Sequence, residues 1–386
     1  MFLKIVCGIQ VLFYCIICVT SQGWAVDDDG CRTPEGEAGT CTLAKECGMM
    51  VAFLKAAPNP LPPSIKSKLS EYLCGYQGSK PKVCCSGRPI PVAITQLQTP
   101  VNDKDSDIDN HRNINLLPEN CGYILGLDKI SNGQNADLGE FPWMALLLYK
   151  ARKGTTFGCG GTVISNRYIL TAAHCITQLK TPLVGVRVGE YDISKTVDCE
   201  TQGDGSTKCN GPVQDLSIEK IIPHPKFTKD YENQEGFNDI GLLRVARIKP
   251  AEHIIPICLP LGEVRHSKLT RVIVTGWGIT ETDRNRNSNI IQKIALPVIN
   301  QQECQRAYKT ITISNKQICA NGRQQDTCNG DSGGALQTAK YLRGDTRMVQ
   351  YGVISFGGAV CGSGTYPGLY TNVEAYMDWI LNNIEP

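Results

Sequence analysis

Cysteine placement constrains this chain more than any other feature. Nineteen cysteines occur in 386 residues. Three of them (Cys7, Cys15 and Cys18) lie in an apolar opening, "MFLKIVCGIQVLFYCIICVTSQG", which leaves sixteen, an even number. In an oxidising compartment that is consistent with eight disulfides and no free thiol. The alternative use of clustered cysteines is metal binding. Among these sixteen, one adjacent pair, Cys84-Cys85, and no CxxC occur, which disfavours structural zinc. The opening itself bears on the compartment. Lys4 precedes an apolar run that ends near Thr20, with Ser21 and Gly23 beyond it, the pattern of a secretory signal over residues 1–23. A retained signal anchor fits the same residues, although the run is short for a membrane span.

Six cysteines crowd into residues 31–85. A segment of that size holds too little apolar surface for a secure core, so its bridges must act as staples. Residues 86–120 contain no cysteine, are rich in Pro, Asn and Asp, and predict a flexible linker running on to residue 129. Charge is balanced, with 39 basic and 37 acidic residues. That gives no electrostatic case for nucleic acid or an anionic membrane as partner.

From Ile130 the pattern changes. Short apolar runs ("WMALLLY", "GTVISNRYILTAA", "GVRVGEY", "DIGLLRV", "TRVIVTGWG", "KIALPVI", "YGVISFGG", "GLYTNV") alternate with turn signals and predict an all-β barrel or sandwich. Near the end, Val373, Tyr376, Met377, Ile380 and Ile384 recur at helical spacing and predict a terminal amphipathic helix.

Chemistry enters with "CNGDSGGAL", residues 328–336, where Ser332 is flanked by Gly330, Gly333 and Gly334. A nucleophilic serine needs an exposed hydroxyl and nearby backbone N–H groups, and glycine permits both. By itself the stretch also reads as a glycine-rich turn. A serine requires a base. Of five histidines, His174 stands in "LTAAHC", between a strand-like run and Cys175. Asp239, in "NDIGLLRV", is a carboxylate at the lip of an apolar run, where an unpaired charge would be costly. The order His174, Asp239, Ser332 is that of chymotrypsin, not of subtilisin or the α/β-hydrolases.

On these residues, and on "TAAHC", "DIGLL", "VTGWG", "GDSGG" and "PGLYTNV" in order, residues 130–386 resemble a chymotrypsin-like trypsin domain. The resemblance implies two six-stranded β-barrels with a catalytic triad between them. It makes Ser332 the nucleophile, His174 the general base and acid, and Asp239 the histidine's orienting partner. The oxyanion hole would be the backbone N–H groups of Gly330 and Ser332. Ala335 departs from the family's usual proline. Residues 31–85 resemble the clip domain of arthropod secreted proteases, which implies the bridges Cys31–Cys84, Cys41–Cys74 and Cys47–Cys85. In the protease domain the implied bridges are Cys159–Cys175, Cys304–Cys319, Cys328–Cys361 and Cys199–Cys209, with Cys121–Cys258 tying the linker to the enzyme.

The resemblance also sets expectations for activity. Asp326, six residues before Ser332, would sit at the base of the specificity pocket with Gly357 and Gly368 on its walls, so cleavage after Arg or Lys is expected. Phe356 replaces the family's usual tryptophan. Lys129–Ile130 would be the activation site, the new ammonium of Ile130 pairing with Asp331; "ISNG" departs from the usual "IVGG" at its middle positions. No cofactor is expected for catalysis. The loop "GEYDISKTVDC" offers Glu190, Asp192 and Asp198, with carbonyls near Thr196, as a calcium site, and reads equally as a solvated acidic turn. Implied partners are protein zymogen substrates, an upstream trypsin-like protease and serpin inhibitors, in the extracellular haemolymph. A catalytically dead clip homologue acting as a cofactor is the alternative; its hallmark is loss of the serine, and Ser332 is present.

Overall fold

The computed structural model describes residues 30–57, 61, 65, 68–69, 71–77, 80–90, 108–123, 134–201, 205–228, 238–278, 287–309, 311–321, 331–356 and 366–386. The opening apolar run, Lys129, Ile130, Asp326, Gly330, Gly357 and the Cys328–Cys361 pair lie outside them. Among the described residues, no helix is long and apolar enough to cross a membrane.

The clip segment is a four-stranded antiparallel sheet in the order β1 (Gly30–Arg32), β2 (Ala38–Leu43), β4 (Lys80–Cys85), β3 (Leu73–Gln77), with one helix, α1 (Gly48–Ala56). Cys41 lies opposite Cys84 in the β2–β4 register. All three expected bridges are present, Cys31–Cys84, Cys41–Cys74 and Cys47–Cys85. They surround a core of Cys47, Met49, Met50, Phe53, Ile65, Tyr72, Val83 and Ile90.

The protease portion is two barrels. In the first, β9 (Leu183–Val188), β6 (Met144–Lys150), β7 (Thr155–Val163), β8 (Tyr168–Thr171) and β14 (Gly241–Val245) lie side by side. Closure comes from β12 (Gln214–Leu216) on β9 and β13 (Ile218–Pro223) on β14. Only Ser217 separates β12 from β13, so together they serve as a sixth strand. In the second, β15 (Arg271–Gly276), β18 (Ala335–Leu342), β19 (Asp345–Phe356), β20 (Gly368–Asn372), β17 (Gln317–Ala320) and β16 (Gln292–Ile299) close by pairing β15 with β16. A two-residue strand, β5 (Gln134–Asn135), adds to the outer edge of β16. Glu140 and Lys293, both buried, reinforce that attachment with Nζ–carboxylate distances of 2.7 and 2.9 Å. The chain thus forms the expected chymotrypsin-like pair of barrels, with alternating strand patterns filling both interiors. The exposed hairpin of β10 (Cys199–Thr201) and β11 (Thr207–Cys209) and the short helix α2 (Gln301–Ala307) complete the domain.

Two expectations are corrected. The terminal helix is shorter than its apolar spacing implies: Val373–Tyr376 is a 3-10 turn, and α3 spans Met377–Asn383. The Asn372 side chain accepts from the N–H of Glu374 and caps the tighter turn. Residues 108–123 of the linker are also packed structure. It contains the 3-10 turn Ile114–Leu116. Asn113 Nδ2 donates to the carbonyls of Leu381 and Ile384, and Asp109 accepts from Gly262 N. Composition hid this because only a few apolar residues, among them Leu116 and Leu117, are needed to seat the strip on the barrel.

Candidate active site

Strand register builds the site. Gly241 of β14 pairs with Thr171 of β8, two residues after Asp239 and three before His174. The short turn Ala173–Cys175 then brings the imidazole over the carboxylate. His174 Nδ1 is 2.7 Å from Asp239 Oδ2, and His174 N donates to Asp239 Oδ1 at 2.9 Å. The aspartate side chain is 3% exposed and the histidine 24%. The carboxylate is therefore held in a dry position while the imidazole faces outward, as a base that must meet substrate requires.

Two further residues hold Asp239. Ser355 Oγ donates to Asp239 Oδ2 at 2.6 Å, and Thr371 Oγ1 donates to its carbonyl at 2.8 Å. Neither was singled out in the sequence. Thr371 lies in "PGLYTNV" and Ser355 in "YGVISFGG", so the motif was visible but the hydroxyls' role was not.

Ser332 approaches from the other barrel. Gly160 N donates to its carbonyl at 2.8 Å, and Gly160 follows Cys159, whose bridge to Cys175 pins the residue next to His174. One covalent link and one hydrogen bond therefore join the serine loop to the histidine turn. Gly333 has φ +82°, and a Cβ there would collide with Thr171 and Gly160, so only glycine fits. Gly334 N bonds to Asp331 O at 2.9 Å. The Asp331 carboxylate accepts from Gly278 N at 2.7 Å, and a Cβ on either Gly276 or Gly278 would run into it. Gly368, expected on a pocket wall, is buried at the start of β20 opposite Ala320.

Residues 130–380 match the Trypsin family model, and residues 31–85 match the regulatory CLIP domain of proteinases. This chain belongs to the clip-domain branch of the trypsin family. Melanization protease 1 of Drosophila melanogaster is 36% identical over 390 residues, covering 95% of this chain and 96% of that protein. Phenoloxidase-activating enzyme 1 of Spodoptera litura is 36% identical over 390 residues, covering 97% and 98% respectively. The crystal structure of the Drosophila Grass clip serine protease of the Toll pathway aligns with a TM-score of 0.60 at 35% identity, over 92% of this chain and 96% of that one.

In this clip-domain protease the acidic loop after β9 is only partly arranged for a cation. Glu190 and Asp198 are buried, and burial raises both carboxyls above the usual range, with repulsion from Asp198 adding at Glu190 and repulsion from Asp192 adding at Asp198. Asp198 Oδ1 is buried with no hydrogen-bond partner, while Oδ2 accepts from the N–H groups of Tyr191 and Asp192 at 3.2 and 3.3 Å. Glu190 Oε2 lies 3.3 Å from Arg187. Asp192 is different. Burial raises its carboxyl, but Ser194 and Lys195 outweigh it; Lys195 Nζ is 3.0 Å away and Ser194 Oγ 2.6 Å. Its carboxylate is committed to those partners, and Thr196 is exposed. Of these carboxylate oxygens only Asp198 Oδ1 is without a hydrogen-bond partner, since Glu190 is engaged by Arg187 and the Tyr191 N–H and Asp192 by Lys195 and Ser194.

Proposed function

We propose that this protein is a secreted zymogen endopeptidase of an extracellular cascade that cleaves protein substrates after Arg or Lys. The observation that carries the reading is the buried Asp239 bonded to an outward His174 whose turn is tied to the Ser332 loop. In this mechanism His174 takes the proton from Ser332 Oγ as that oxygen attacks the scissile carbonyl. Asp239 fixes the tautomer and stabilises the imidazolium, and the proton then passes to the leaving amine. Backbone N–H groups at Gly330 and Ser332 receive the oxyanion. Asp326 pairs with the substrate cation between Gly357 and Gly368.

Cleavage of Lys129–Ile130 starts activity. The freed ammonium of Ile130 supplies the counter-charge that the Asp331 carboxylate needs once buried. Because the Cys121–Cys258 bridge spans the cut, the clip half stays attached and can dock partners. The names of the relatives support a place in melanisation or Toll-type signalling; an upstream trypsin-like activator and serpin control belong to the same proposal.

N-terminal sequencing of the active species should read Ile-Ser-Asn-Gly. Lys129→Gln should stay inert, and Ser332→Ala after cleavage should lose about 10⁴-fold or more in turnover on Arg substrates. Full activity of uncut Lys129→Gln, or near wild-type turnover by Ser332→Ala, would refute the mechanism. Glu190 and Asp198 are proposed to hold a structural calcium ion, which neutralises two carboxylates that burial disfavours. Millimolar calcium added after chelation should raise the melting temperature; an unchanged melt removes the proposal.

A further inference from the structure

We infer that Tyr191 is a positioning residue that couples the chain segment downstream of the activation cut to the strand end cradling Asp331. The inference rests on the activation mechanism proposed above. All three polar groups of Tyr191 are used, and each reaches a different part of the molecule. Its N–H donates to Glu190 Oε1 at 3.0 Å and Asp198 Oδ2 at 3.2 Å, which fixes it on the acidic loop. Its phenol donates to the carbonyl of Ala136 at 2.9 Å. Its carbonyl accepts from the indole of Trp277 at 3.1 Å and from Ile291 N at 3.2 Å.

The two ends of this relay are the parts that activation must coordinate. Ala136 lies six residues beyond Ile130. Its N–H donates to Ile291 O at 2.8 Å, so Tyr191 and Ala136 share Ile291 as a common rail. Trp277 is 2% exposed and stands between Gly276 and Gly278, the two glycines against which the Asp331 carboxylate rests. Gly278 N bonds that carboxylate at 2.7 Å, and Asp331 directly precedes Ser332. The Tyr191 carbonyl holds the indole of Trp277, whose backbone joins the two glycines, so the stretch that carries the Gly278 N–H is anchored to Tyr191. A residue that served packing alone would not need its N–H, carbonyl and hydroxyl directed to three separate elements.

The test uses the full-length zymogen and its Tyr191→Phe, Trp277→Phe and double variants, each cleaved by a trypsin-like protease. Tyr191→Phe removes only the bond to Ala136, and Trp277→Phe removes the indole bond together with buried ring volume. Four quantities are read: the new N-terminal sequence, kcat and KM on an Arg peptide substrate, the rate at which cyanate carbamylates the new α-amine, and the melting temperature. Every variant should be cut at Lys129–Ile130 as wild type is. Tyr191→Phe should lose about fivefold in kcat, the size of one ordinary hydrogen bond, with KM within about twofold. Its α-amine should carbamylate several-fold faster, because the segment spends more time withdrawn. The double variant should lose less than the product of the single losses, since both bonds belong to one relay. Wild-type kcat and carbamylation rate in Tyr191→Phe would overturn the inference, as would a loss confined to melting temperature. If Trp277→Phe does not fold, Tyr191→Phe decides alone. Wild-type zymogen cut at Lys129–Ile130 yet inert would instead sink the activation mechanism itself.

Discussion

The clip segment and the protease domain hold themselves together by different means. The clip core is eight residues surrounded by three disulfides. In the protease domain the core runs through both barrels and includes Trp143, Trp277, Tyr168, Tyr351 and Tyr370, all almost fully buried. Its bridges sit where loops need placing: Cys159–Cys175 beside His174, and Cys199–Cys209 across an exposed hairpin. In the small body the bridges substitute for apolar area that fifty-odd residues cannot supply; in the large one Cys159–Cys175 positions the histidine turn while the core stands on its own apolar area. The contact between the two bodies is mixed. Leu73 of the clip segment packs against the barrel core, and Lys268 Nζ donates to Pro34 O. Lys340, 3% exposed, sits within the electrostatic reach of Glu71 and Lys68.

The sharpest way to break this contrast is to remove a clip bridge. Replacing both Cys41 and Cys74 by Ser should cost the clip segment about 2–5 kcal/mol and unfold it at moderate temperature. Limited proteolysis should then digest the clip half while the cleaved protease keeps its turnover of small peptides. If peptide turnover falls in parallel, the two bodies are one folding unit and the contrast fails.

A smaller effect probes the contact. Burial pushes the Lys340 ammonium down to about 8, against an ordinary value near 10.5. A cation with a lowered folded pKa destabilises the folded state below that value, and the penalty fades as pH rises from about 8 to about 10.5. At neutral pH Lys340→Met should therefore stabilise the protein by about 1–3 kcal/mol, read as a higher melting temperature that converges with wild type at high pH. Destabilisation would mean that attraction to Glu71 outweighs burial, and that charge holds the clip segment down.

The smallest effect belongs to the protease domain. His224 lies 5.2 Å from both the Tyr376 and Trp379 rings, and burial, with Lys316 and Lys226 nearby, lowers it to about 4. Above pH 6.5 it is neutral whether folded or unfolded. As pH falls toward 4 only the unfolded chain takes up the proton, so stability drops across that window and levels off below it. Allowing for solvent screening, the loss should be about 1 kcal/mol and should vanish in His224→Tyr. Chemical denaturation at pH 7 and pH 4.5 measures it; an equal pH dependence in the variant would remove His224 as the cause. Located in the protease domain, the effect should leave the proteolytic susceptibility of the clip half unchanged.

Much of this architecture can be read from residues close together in sequence. Apolar runs at strand spacing announce the barrels, and "LTAAHC" and "NDIGLLRV" mark the two residues that meet at 2.7 Å. What escaped reading is instructive. Residues 108–123 looked like linker because their apolar side chains are few, yet Asn113 and Asp109 find backbone partners more than a hundred residues away. Ser355 and Thr371 are ordinary strand residues until the barrels close and aim their hydroxyls at Asp239. The acidic loop was legible as a set of carboxylates, but not the diversion of Asp192 to Lys195, because the partners of a flexible side chain depend on which way the loop folds.

Sequence by itself determined the class of fold, the even complement of cysteines, the order of His174, Asp239 and Ser332, and the candidate cut at Lys129–Ile130. The all-β class follows from local periodicity and the order of the triad from residue types whose chemistry has few substitutes, whereas the candidate cut is what the family resemblance carried by those residues implies. Only the tertiary structure decided that a Gly160–Ser332 hydrogen bond joins the serine loop to the bridged histidine turn, and that Tyr191 lies between Ala136 and Trp277. Those contacts span tens to hundreds of residues. They depend on barrel closure and strand register, and a hydrogen-bond partner is chosen by position in space rather than by spacing along the chain.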